Sequence, residues 1–150
     1  MELEHSTERE ILKDKLLIIT ASASDFPLLS ELKGLLRESE IKFKTATISC
    51  HRDLDKLPAF IEDVKRKNYE VVIAVANSVS NLPAIIGGGL KNTGIMVIGV
   101  GLGNKGLNGI DSLLSVNTIP KGVPMANTGI GEVGLYNAGL IAIKLINGKL

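Results

Sequence analysis

Short apolar runs alternate with longer amphipathic ones along most of the chain. Lys15 to Thr20 (KLLIIT) is a continuous apolar stretch of strand length, and Pro27 to Glu38 places Leu28, Leu29, Leu32, Leu35 and Leu36 at helical spacing. Lys42 to Ile48 alternates polar and apolar positions, Leu54 to Lys67 reads as a helix, and Val71 to Ala76 (VVIAVA) is a β-branched run suited to a buried strand. Leu82 to Leu90 predicts a helix whose Gly87, Gly88 and Gly89 permit close packing, followed by a strand at Ile95 to Val100. A fifth strand is expected near Val123 to Ala126, and Gly131 to Asn147 closes the chain as a helix with Gly148 as its cap. Strands that alternate with helices in this way make a parallel sheet, because right-handed crossovers lay the helices on both faces. The expected fold is a three-layer α/β domain, flavodoxin-like or Rossmann-like. It spans 15–150 as one domain, after a charged segment at 1–14.

Composition narrows the function classes. Seventeen basic against sixteen acidic side chains leave a formal charge of +1, which supplies no excess field for a polyphosphate backbone. Aromatic residues are 3% with no tryptophan, so the stacking platform of single-strand binders is missing as well, and nucleic acid is not an expected partner. No run approaches the roughly 18 apolar residues of a membrane span, and Met1 to Asp14 is too dense in charge for an export signal. A cytoplasmic location is expected. A single cysteine, Cys50, makes no internal disulfide, and with His5 and His51 it lacks metal-ligand spacing, so no metal is expected.

In sheets of this kind ligands bind beyond the carboxyl ends of the strands. The polar residues gather there: Ser22, Ser24 and Asp25 after the first strand, Ser49, His51 and Arg52 after the second, Asn77, Ser78, Ser80 and Asn81 after the third, and the glycine-rich Gly101 to Gly109 after the fourth. Hydroxyls and free N–H groups in the first loop can hold an anion, although Ser24 or Asp25 can equally serve as a helix cap. Arg52 offers a fork matched to phosphate oxygens, or an ion pair with Asp53 or Asp55. His51 beside it can transfer a proton near neutral pH, or be a structural histidine. Cys50 reads as a small buried filler. Gly101-Leu-Gly-Asn-Lys-Gly106 has the G-x-G-x-x-G form but follows the fourth strand rather than the first, with no acidic strand end about 20 residues on, so no dinucleotide cofactor is expected.

Ala21-Ser-Ala-Ser-Asp25, Ser49-Cys-His-Arg52, Asn81-Leu-Pro83, Leu107-Asn-Gly-Ile-Asp-Ser-Leu-Leu-Ser115 and Pro120-Lys-Gly-Val-Pro124, in this order, resemble the phosphoribosylaminoimidazole carboxylase family. That family includes the carboxyaminoimidazole ribonucleotide mutases of purine biosynthesis. The resemblance runs from about Lys15 to Asn147. It implies a flavodoxin-like octamer acting on a phosphoribonucleotide and carbon dioxide without a cofactor. In its mutase reaction the carboxyl group leaves an exocyclic nitrogen, is held as carbon dioxide, and is added to the imidazole ring carbon.

Carried onto this chain, the resemblance puts Ser22 and Asp25 at the ribose and phosphate, and Ser49 and Arg52 on the phosphate side. His51 falls where a histidine moves the proton. Ser24 belongs to the first of these loops, and Ser80, Asn81 and Leu82 to the one that holds the imidazole and carbon dioxide. The chain departs from the family at Ala21, where glycine is usual, and at Asn81, where histidine is usual. It departs again at Gly101 to Asn104. An altered third loop leaves two alternatives beside the mutase or carboxylase: an enzyme for another phosphoribonucleotide, and a non-catalytic nucleotide-binding protein.

Overall fold

A computed structural model describes residues 14–148. All of the expected charged segment 1–14 except Asp14 lies outside them. Five strands form one parallel sheet: β1 (Leu16–Thr20), β2 (Phe43–Thr47), β3 (Val71–Ala76), β4 (Met96–Gly101) and β5 (Ala126–Ile130). Their spatial order is β2-β1-β3-β4-β5, the doubly wound flavodoxin-like order. The chain leaves β1 toward one edge of the sheet and β3 toward the other, so the crevice between these neighbours is the switch point where ligands bind.

The helices are α1 (Ser30–Glu38), α2 (Leu57–Lys67), α3 (Asn81–Leu90), α4 (Ile110–Asn117) and α5 (Gly131–Ile146), with a 3-10 helix at Ala23–Leu29 before α1. Alternation along the strands builds two cores. Leu16 and Ile18 of β1 join Ile73, Val75, Ile98 and Val100 beneath α1 and α5. Leu17 and Ile19 turn to the other face, with Val72, Ala74 and Val97 beneath α2 and α3. β1 and β3 are buried along their whole length, which is why they read as unbroken apolar runs. The three-layer architecture expected from periodicity is the one observed.

Three elements are shifted by more than one residue from the expected positions, and one is additional. The helix expected from Pro27 begins at Ser30, after a 3-10 turn over Ala23–Leu29 that has Pro27 inside it. The helix expected from Leu54 begins at Leu57, with Pro58 in its first turn. The fifth strand lies at Ala126–Ile130 rather than Val123 to Ala126, because Pro124 cannot donate to the ladder. Its sequence, ANTGI, is polar for a strand because it runs along the sheet edge, half-buried, with a register shift opposite Gly99 and Gly101. Finally, α4 has no counterpart in the expected elements. It is a short helix with a left-handed Gly109 at its N-cap in place of a capping side chain, so it lacks the usual start signal.

Of the three glycines expected to allow close packing, Gly89 does so: a Cβ there would come within 2.7 Å of Ile61 on α2, whereas one at Gly88 would meet nothing. Gly148 follows α5 with φ +66°, the left-handed cap expected of it.

Candidate functional site

The loops after β1, β2, β3 and β4 enclose a cleft of about 300 Å³ at the switch point. Its first wall is the turn after β1. Ser22 caps the 3-10 helix, its Oγ accepting from the Ser24 N–H at 3.3 Å, so the cap is neither Ser24 nor Asp25. Asp25 is buried at 3% exposure and lines the cleft. Burial raises its carboxyl pKa above the ordinary value, against the pull of Lys105, the Ser22 N–H and Arg52.

The second wall is built by a tight turn after β2. The Asp53 carboxylate accepts from the Ser49 N–H at 3.0 Å, and the Ser49 hydroxyl accepts from the Arg52 N–H at 3.2 Å. Asp53 spends its other oxygen on Lys56, at 3.3 Å, rather than on Arg52. Arg52 Nη2 instead donates to the Ala21 carbonyl at 3.1 Å, joining the first two loops and keeping the guanidinium at the cleft. The adjacent Cys50 is buried, with Sγ 3.8 Å from His51 Nδ1. Burial raises its thiol pKa, which suits a packed thiol better than a nucleophile.

The third wall runs from Asn77 to Leu82. Ser78 adopts φ +52°, uncommon for a residue with a side chain. Its carbonyl is held by the Ser112 hydroxyl of α4 at 2.8 Å and lies 3.2 Å from the Ser80 hydroxyl. Asn77 hydrogen-bonds Asn104 of the fourth loop through their side chains. Asn81 opens α3 and brings its Nδ2 to 3.3 Å from His51 Nε2. No side chain caps α3 and no acidic residue sits in its first turn, so its positive end is free for an anion.

Ser22, Asp25, Ser49, His51, Arg52 and Leu82 therefore line one cleft, and Asn81 touches its histidine. Three of the expected residues do not themselves line it: Asn81, which reaches it only through His51, Ser24 and Ser80. Ser24 is exposed and pairs with Ser22 Oγ at 2.9 Å. Ser80 is fully buried, its hydroxyl donating to the Ala76 carbonyl at 2.9 Å. Lys105 is a wall residue that sequence reasoning did not assign; its signal was a lone cation in the glycine-rich loop after β4.

A larger cavity of about 380 Å³ lies beside β2 and the amino end of β1, against α2, lined in part by Asp14, Lys44, Asp63 and Lys67. Its charges neutralise one another, Lys67 with Asp63 at 2.6 Å and Lys44 with Asp14 at 3.5 Å. The smaller cleft brings Arg52, Lys105 and His51 together and is the candidate site. Among the described residues, no group of three or more His, Cys, Asp or Glu side chains is placed to hold a metal ion, and no helix is long and apolar enough to cross a membrane.

Residues 15–149 match the family described as AIR carboxylase. The chain is 34% identical over 131 residues to N5-carboxyaminoimidazole ribonucleotide mutase of Haemophilus influenzae, covering 87% of this chain and 78% of that one. It is 36% identical over 132 residues to the Pyrococcus abyssi protein of the same name, covering 88% and 73%. Among solved structures, PurE of Treponema denticola superposes with a TM-score of 0.68 at 14% identity over 89% of each chain, a likeness of fold.

Proposed function

Because the chain belongs to the AIR carboxylase family, we propose that it converts N5-carboxyaminoimidazole ribonucleotide to the carbon-carboxylated aminoimidazole ribonucleotide of purine biosynthesis. The observation that carries this reading is the meeting of Asp25, His51 and Arg52 in one cleft at the switch point.

In this reaction the carbamate N–C bond breaks, its electron pair stays on the exocyclic nitrogen, and that nitrogen gains a proton. The ring carbon then supplies the pair for a new C–C bond to carbon dioxide and loses its own proton to His51. One proton is taken up and one released, so a single histidine serves both steps. Arg52 and Ser49 hold the phosphate, with Lys105 as a second cation, and Ser22 and Asp25 hold the ribose. Binding energy from these remote groups keeps the ring and carbon dioxide together for recombination. The enzyme works in the cytoplasm as a homo-octamer, with no metal or organic cofactor.

The test is to incubate the protein with N5-carboxyaminoimidazole ribonucleotide, and separately with aminoimidazole ribonucleotide plus bicarbonate, and follow the carbon-carboxylated product. Product from the first substrate at low bicarbonate is expected. Product from the second alone would make the protein a direct carboxylase. No product from either, with the protein folded, would favour another phosphoribonucleotide or a binding role, with Asn77 to Asn81 as the cause. In His51→Asn turnover should fall at least a hundredfold with ligand binding kept; undiminished turnover would remove His51 from the reaction.

A further inference from the structure

The hydrogen bond between Asn81 and His51 restricts the histidine more than a packing contact would. An amide NH2 only donates, so Asn81 Nδ2 at 3.3 Å bonds Nε2 when that ring nitrogen presents its lone pair. The proton of the neutral ring then sits on Nδ1, 3.8 Å from Cys50 Sγ, a weak acceptor. We propose that Asn81 is the positioning residue of His51: its amide holds the lone pair on Nε2 and turns over to present Oδ1 when that nitrogen takes up a proton.

Both protonation states are then hydrogen-bonded by one side chain whose two ends are nearly isosteric. The other charged or titratable groups at the cleft are Asp25 on the first loop, Cys50 and Arg52 on the histidine's own loop, and Lys105 on the fourth. The third loop brings no ionisable group, only the Asn81 amide, which matches the ring's hydrogen bonding without fixing its charge. The inference rests on the reading of His51 as the group that moves the proton, and it names the atom as Nε2: that nitrogen has a single lone pair, so the Asn81 amide gives way to the substrate during the transfer and re-forms its bond afterwards.

The protein holds two histidines, His5 and His51, so 15N-histidine labelling reads the His51 tautomer directly once His51→Asn has assigned its signals. The intact protein is expected to show the Nδ1–H form. The reverse arrangement, Nε2–H donating to Oδ1 while the Cys50 thiol donates to Nδ1, would overturn the proposal. Asn81→Asp, nearly isosteric, should raise the His51 titration midpoint by about one pH unit, a tenfold gain in proton affinity, because a carboxylate stabilises the imidazolium. The acid limb of the pH–kcat profile should move with it. An unmoved midpoint would also overturn the proposal. Asn81→Leu should lower kcat about tenfold or more with KM little changed, whereas equal effects on both would mark a substrate contact instead. The labelling arms need no substrate, so the expected tautomer without turnover would remove the mutase reading and leave the assignment of Asn81 intact.

Discussion

Asp25 carries a carboxyl group where solvent barely reaches, at 3% exposure, facing Lys105 and Arg52 without a direct ion pair to either. Burial is the largest influence on it and raises its pKa. A carboxyl whose folded pKa lies above the unfolded one favours folding most below the unfolded value, and that advantage is lost as pH rises through the folded pKa. Asp25→Asn should therefore raise Tm at pH 7, with the gain shrinking toward pH 4, while binding of a phosphoribonucleotide weakens. Parallel melting and binding titrations check this, and a lower Tm at pH 7 would show that the carboxylate is net stabilising. At this scale much was legible: Ser22, Asp25, Ser49, His51 and Arg52 are polar residues placed just beyond apolar strands. Ser80 was not, since whether a loop hydroxyl faces a ligand or its own backbone depends on the path of the loop. Lys105 went unassigned because its one signal, a lone cation in a glycine-rich loop, does not distinguish a cleft lysine from a solvated one.

Among the elements, α4 and the end of β4 set the third loop. Gly101 ends β4 where a Cβ would lie 2.8 Å from Ser112 Cβ and 3.1 Å from the Ser112 carbonyl. The missing side chain lets α4 approach closely enough for the Ser112 hydroxyl to reach the Ser78 carbonyl. Gly101→Ala should destabilise the protein by about 1–3 kcal/mol through overpacking against backbone. It should also lower activity more than Gly88→Ala, whose Cβ meets nothing. Urea unfolding and turnover of the two variants make the comparison, and equal losses would show that α4 does not govern the loop. Sequence pattern located β1, β3, α3 and α5 well, because burial on both faces or one long helical stripe leaves a strong signature. It missed α4 and shifted β5 because an eight-residue helix without a capping side chain and a polar edge strand carry little of that signature.

The whole molecule exposes apolar side chains that its own core leaves uncovered: Leu107, then Ile110, Leu113 and Leu114 on α4, and Val133, Tyr136 and Leu140 on α5. For the proposed octamer, sedimentation should give a mass eight times the 15.9 kDa protomer, and replacing both Ile110 and Leu114 by Glu should yield smaller species. A protomer-sized parent would reject the assembly. By itself the sequence determined the alternation of strands and helices, hence a three-layer parallel α/β domain, and the family through its ordered motifs, because periodicity and local motif chemistry are properties of neighbouring residues. Only the tertiary structure decided that Arg52 bridges to the Ala21 carbonyl and that Asn81 meets His51 across thirty positions of chain. Those contacts follow from strand order, since β1 and β3 become neighbours only when the chain crosses over and places β2 outside them.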